Sequence, residues 1–174
     1  MQRKSFDDMT CPIARSLERV GEWWSILILR DAFQGLSQFD QFQKSLGIAP
    51  NMLSRRLTGL VEAGLLERRQ YSERPPRDEY VLTERGRDFR PVMWALLTWG
   101  NKHFAPEGAS MHLIDAETGK VADPVMLDRV SGKLMTPDGF QSVPGPAADD
   151  ATHARYRARM ARPVSPSPRS EQPA

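Results

Sequence analysis

Pro50-Asn51-Met52-Leu53-Ser54-Arg55-Arg56-Leu57 is the centre of the stretch, Phe39 to Leu82, whose reading decides the fold. Proline at the head of such a run favours a helix start, because the first turn has no use for its missing N–H. From there Leu53, Leu57, Leu60 and Val61 recur at i, i+4, i+7 and i+8 and predict one buried face. Asn51, Ser54, Arg55 and Thr58 fall on the opposite, polar face. Upstream, Phe39, Phe42 and Leu46 predict a shorter helix over 39–46, and Gly47-Ile48-Ala49 leaves room only for a tight turn. Two helices joined this way, the second with an arginine-bearing outer face, form a helix-turn-helix of the kind that enters a DNA major groove.

Gly64 supplies a left-handed stop to the second helix. Leu65 to Tyr71 then reads as a strand, and Glu79-Tyr80-Val81-Leu82 as a returning one. Between them, residues Ser72 to Asp78 contain Pro75-Pro76, which removes consecutive donors and is expected to exclude regular structure there. A helix-turn-helix followed by a hairpin with arginines at its tip is a winged helix. The expected fold class is therefore mainly α with a small β-hairpin wing, plus a small C-terminal β appendage described below.

Several motifs in unbroken order, over about residues 9 to 104, resemble the HxlR family of bacterial transcription regulators, relatives of the MarR group. They are Cys11-Pro-Ile-Ala, Gly21-Glu-Trp-Trp-Ser-Ile-Leu-Ile-Leu-Arg30, Met52-Leu-Ser-Arg-Arg-Leu57, Glu62-Ala-Gly-Leu65, Pro75-Pro-Arg77, Glu79-Tyr-Val-Leu-Thr83 and Gly86. Glu22 departs from the lysine or arginine that the family often has after the glycine. The resemblance implies a DNA-binding homodimer joined through its terminal helices. Some proteins of that family sense oxidants through a cysteine at the place of Cys11.

Bulk properties bound the reading without settling it. With 174 residues and 40% hydrophobic content, the chain can build one ordinary domain with appendages. No run approaches the roughly 18 apolar residues of a membrane span, and no apolar leader opens the chain, so a cytoplasmic protein is expected. A net charge of +2 says little about partners. Its placement says more: between Asn51 and Arg77 lie six arginines, three glutamates and no lysine. Arginine's planar fork suits phosphate oxygens and guanine edges.

The remaining chain divides as a flexible arm over 1–10, a DNA-binding and dimerisation domain over 11–105, a small β module over 110–145 and a largely disordered basic, proline-rich tail over 146–174. Within the domain, a first helix over Pro12 to Val20 is expected to bury Ile13, Leu17 and Val20. A second, Glu22 to Gln34, carries Trp23, Ile26, Leu27, Leu29 and Phe33 around most of its circumference, with a connector over 35–37 leading to the next helix. Thr83 offers an N-cap to a helix reaching about Phe104, with a break near Arg87–Arg90 ahead of Pro91. Val92, Met93, Leu96, Leu97, Gly100 and Phe104 form its apolar stripe and the expected dimer interface. One side would lie on the winged-helix body and the other on a second subunit. In the tail, Asp115-Ala-Glu-Thr-Gly-Lys-Val121 is echoed by Asp128-Arg-Val-Ser-Gly-Lys-Leu134. Each Asp-x-x-Thr/Ser-Gly unit predicts a turn, and two stacked hairpins follow. Their spacing is similar to a zinc ribbon whose knuckle cysteines are absent; Thr118 and Ser131 do not ligate zinc, so no metal is expected. His153 to Arg162 reads as a basic helix and Pro163 to Ala174 as disordered.

The candidate DNA-binding residues are Asn51, Ser54 and Arg55 for base edges, Arg56 for phosphate, and Arg74 and Arg77 on the wing for backbone or minor groove. Cys11, the only cysteine, is a candidate redox sensor, since a helix N-terminus favours the thiolate; a small packed apolar residue is the other reading. The scattered histidines His103, His112 and His153 form no catalytic constellation, so neither an enzyme nor a cofactor is expected. Two alternatives stand beside direct DNA binding: a winged helix that grips an acidic protein, and a regulator with a small-molecule effector lodged among Trp23, Trp24, Phe33, Trp94 and Trp99.

Overall fold

The first helix, α1 (Pro12–Val20), starts on a proline and ends at Gly21, whose N–H bonds the Leu17 carbonyl at 2.7 Å. It is followed by α2 (Trp23–Phe33), α3 (Phe39–Leu46) and α4 (Pro50–Glu62). The hairpin β1 (Leu66–Glu73) and β2 (Pro76–Leu82) comes next, then α5 (Glu84–Arg87), α6 (Arg90–Phe104) and α7 (Asp150–Met160). This computed structural model describes residues 10–161. Residues 1–9 of the expected 1–10 arm, the last residue of the expected 153–162 basic helix and the whole 163–174 segment lie outside the described residues. Among the described residues no helix is long and apolar enough to cross a membrane.

The core gathers where α2, α3, α4 and the base of the hairpin meet. Ile28, Leu29, Phe42, Leu53 and Leu57 are fully buried, joined by Leu60, Leu66 and Ile48. One stripe of α4 therefore does the work its leucine spacing implied. Asp31 lies buried in the same layer. Arg30 donates through Nε and Nη2 to its Oδ1 at 2.8 and 2.7 Å, while Oδ2 has no hydrogen-bond partner among the described residues.

Three expectations about the helices change. Along α1, Ala14 and Val20 are buried, whereas Ile13 is 70% exposed and Leu17 45%. The i, i+4 row of Ile13 and Leu17 points away from α2 and α4. On α2, Trp23 stands in solvent at the N-terminal end. The break ahead of Pro91 occurs as expected, between α5 and α6, but the winged-helix body does not cover α6. No residue of that helix is buried.

The hairpin is longer than the prolines suggested. β1 runs through Ser72 and Glu73, and β2 begins at Pro76, which pairs with Glu73. Only Arg74 and Pro75, joined by a cis peptide, form the tip. Pro76 is accommodated because it is the first residue of an edge strand, where no ladder donor is required. A register shift between Gln70 and Ser72 leaves Tyr71 as a bulge. At its base β2 is held to the entry of α3: Tyr80 N–H bonds the Ser37 carbonyl at 2.7 Å, and Ser37 Oγ donates to Glu79 at 3.1 Å.

Beyond α6 the two expected turns are present. Asp115 accepts from the N–H groups of Glu117 and Thr118, and Asp128 from those of Val130 and Ser131. Gly119 and Gly132 both take φ of 68°, a conformation that a side chain would oppose. Each turn closes one bridge, Ile114 to Val121 and Leu127 to Leu134. No strand beyond these bridges forms between residues 110 and 145, and none of these residues is buried. A lone two-stranded hairpin has too little apolar surface to build a core.

Candidate nucleic-acid interface

The outward face of α4 is set by its inward one. With Leu53, Leu57 and Leu60 buried, the helical repeat turns Asn51, Ser54, Arg55 and Thr58 to solvent, and all four are exposed. Asn51 Oδ1 accepts from the Met52 N–H at 2.8 Å, which leaves its amide donors outward. The start of α3 is capped by Gln41, whose Oε1 accepts from the Ser37 and Gln38 N–H groups at 3.0 and 3.1 Å, and Gly47, with φ of 60°, turns the chain from α3 into α4.

Arg56 does not share that face. Its side chain is 19% exposed, and Nη2 lies 3.0 Å from Glu22 Oε2 at the N-cap of α2. The arginine expected at phosphate thus faces the body of the domain. Its place on the flank of the buried row explains this, and the partner lies 34 positions back in the chain.

On the wing, arginine again divides into two kinds. Arg68 is ion-paired with Asp78 across the hairpin and Arg69 with Glu67. The hydrogen bond and charge of Asp78 raise the pKa of Arg68 above its already high ordinary value. Arg74, at the tip, and Arg77, in the first pairs beside it on β2, are exposed. Among the described residues, Arg55, Arg74 and Arg77 have no carboxylate partner. Cations without a tethered counter-ion are the ones that exchange salt for phosphate most readily.

The wing and α4 are locked together at one place. Thr83 Oγ1 donates to the Gly64 carbonyl at 2.6 Å and accepts from Gly86 N–H at 3.0 Å, capping α5. Arg85 reaches the Ala63 carbonyl at 3.0 Å. The end of α4, the root of β2 and the start of α5 are therefore hydrogen-bonded to one another.

Other candidates are dispersed. Cys11 is partly buried at the N-cap of α1. Next to it, Thr10 Oγ1 donates to Asp149 Oδ2 at 2.9 Å, which ties the cap of α7 to the head of α1. Bonds from Thr152 and Thr10 pull the Asp149 pKa down to about 2. The aromatic set expected around an effector is not one site. Phe33 and Trp94 line a cavity of about 400 Å³ between α2 and α6, but Trp23, Trp24 and Trp99 do not. Along α6, Val92, Leu96 and Phe104 are exposed, and Met93, Leu97 and Gly100 are half-buried. The Glu22–Arg56 pair and the buried Asp31 leave no local pattern in the sequence. Only the unusual acid after Gly21 hinted at the first.

Residues 19–108 match the family model of the HxlR-like helix-turn-helix. A curated relative, the uncharacterized HTH-type transcriptional regulator Rv3095 of Mycobacterium tuberculosis, is 42% identical over 135 residues, covering 77% of this chain and 85% of the relative. Among solved structures, PA1374 from Pseudomonas aeruginosa, a candidate transcription factor, is 53% identical with a TM-score of 0.61, covering 83% of this chain and 99% of that one. PA1607, also a candidate transcription factor, is 35% identical with a TM-score of 0.72, covering 80% of this chain and 99% of its own. The match spans the helix-turn-helix, the wing and α6, and the chain belongs to the HxlR-like helix-turn-helix family of transcriptional regulators, which are not enzymes.

Proposed function

We propose that the protein is a sequence-specific regulator that binds duplex DNA as a homodimer in the bacterial cytoplasm. The observation that carries this reading is the division of α4: fully buried leucines on one side, and exposed Asn51, Ser54 and Arg55 on the other. In this reading α4 enters the major groove, with Asn51, Ser54 and Arg55 at base edges, where each good pairing discriminates by about 1–3 kcal/mol. Arg74 and Arg77 meet backbone or minor groove beside it and supply affinity and register.

The second subunit would pack on α6. A helix with Val92 46%, Trp99 55% and Phe104 66% exposed leaves an apolar surface that a lone domain does not retain. Two copies joined there set two α4 helices about one DNA turn, or a small multiple, apart. Cys11, adjacent to the exposed Ile13 and Leu17 row, is the position at which an oxidant or electrophile would alter that spacing. A small-molecule effector would have the cavity between α2 and α6.

The test is a titration on duplexes recovered by in vitro selection and on scrambled ones, over a salt series. Arg55→Ala is expected to weaken the selected duplex about 5- to 150-fold, the range that 1–3 kcal/mol implies, with less effect on scrambled DNA. Arg77→Ala is expected to weaken both alike and to lower the salt slope by about 0.9. Equal loss on both duplexes with Arg55→Ala would reject base reading. A wild-type chain that binds no duplex but captures acidic proteins would make it a protein-interaction module instead.

A further inference from the structure

Arg56 falls about 60° around α4 from the centre of the buried leucine row, by the 100° step of a helix. That flank faces a cleft of about 210 Å³ whose lining includes Glu22, Ser25, Arg55, Arg56, Gly59 and Glu62. Within it Glu22 holds one end of the Arg56 guanidinium at 3.0 Å, while Nε has no hydrogen-bond partner among the described residues. A guanidinium has five N–H donors to satisfy. Arg56, its side chain largely withdrawn from solvent and its Nε buried, is held by a tethered carboxylate and not by a full set of bonds. The way out is open: nothing lies within 4 Å of where a Gly59 side chain would begin. Past Gly59 lies the exposed Arg55.

We propose that Glu22 is an internal counter-charge that holds Arg56 back from nucleic acid, so that α4 offers duplex DNA a single cation, Arg55. This rests on the DNA-binding reading above. Glu22 thereby limits the sequence-independent share of binding. Removing its charge, while keeping its size, releases Arg56 along Gly59 to a phosphate beside the groove. One added phosphate contact steepens the dependence of log K on log salt by about 0.9.

The experiment measures binding of the full chain to a scrambled duplex over a salt series, for wild type, Glu22→Gln, Arg56→Gln and the double variant. Glu22→Gln is expected to steepen the slope by about 0.9 and to tighten binding about eightfold at 0.1 M salt relative to a 1 M reference. Arg56→Gln is expected to keep the wild-type slope, and the double variant to match Arg56→Gln. A folded Glu22→Gln with an unchanged or shallower slope overturns the proposal. So does an Arg56→Gln slope flattened by about one contact, because Arg56 would then already be on phosphate. Should Glu22→Gln fail to fold, Arg56→Gln alone decides. A wild type that binds no duplex refutes the DNA-binding reading itself, and the proposal with it. Binding with the slopes unmoved refutes only the proposal.

Discussion

Replacing Thr83 with valine keeps the branched shape and the extended backbone (φ −74°, ψ 176°) and deletes one hydroxyl. That hydroxyl accepts the Gly86 N–H at 3.0 Å and donates to the Gly64 carbonyl at 2.6 Å. Loss of an N-cap costs about 1 kcal/mol, and loss of a neutral hydrogen bond about 1 kcal/mol more. The site is part-buried, so water satisfies the stranded carbonyl and N–H incompletely. Thr83→Val should therefore destabilise by about 2 kcal/mol. For a chain of this length that corresponds to about 4–8 °C in Tm. Urea and thermal unfolding at one fixed protein concentration would measure it, since a dimer's stability depends on concentration. Thr83→Ser, which retains both bonds, should stay within about 1 kcal/mol of wild type. A Thr83→Val loss below about 0.5 kcal/mol, or a serine variant as unstable as the valine one, would refute the idea that this hydroxyl fastens the wing to α4.

Gly86→Ala would place Cβ 2.1 Å from the Leu65 carbonyl oxygen; since backbone must move, a loss of at least about 2 kcal/mol in chemical unfolding is expected. Leu96→Glu should weaken self-association about 100-fold or more in sedimentation equilibrium, as a charge in an apolar interface costs about 3 kcal/mol; an unchanged dimer would move the subunit contact elsewhere. Cys11→Ser should abolish release of DNA by peroxide or quinone, read by gel shift, and unchanged release would clear Cys11 of a sensing role. Asp149 binds its proton more weakly when folded, with a pKa of about 2 against the ordinary 3.8. Its contribution to holding α7 is thus complete above about 3.8 and lost as pH falls through about 2. An NMR titration of its carboxyl carbon should show the low midpoint, raised by Thr10→Ala; an ordinary midpoint in the native chain would dismiss the Thr10 tie.

What the sequence alone determined follows the range of the forces involved. Pro50 and Gly64 marked the ends of α4, and the leucine spacing marked its buried face, because each signal acts within a few residues along one helix. The paired turns at Asp115 and Asp128 were legible for the same reason: side chain and backbone partner sit two or three positions apart. Thr83 announced a cap, though not its second bond to Gly64. What failed was whatever needed a distant partner. Arg56 looked like its neighbour Arg55 until Glu22 claimed it from another helix. Ile13 and Leu17 had the spacing of a buried row, but periodicity names a face without saying what stands opposite. Two consecutive prolines argue locally against strand pairing, yet Pro76 opens β2 on an edge that asks for no donor. Local chemistry chose the elements and their ends; contacts between elements chose which arginines remained free to meet a partner.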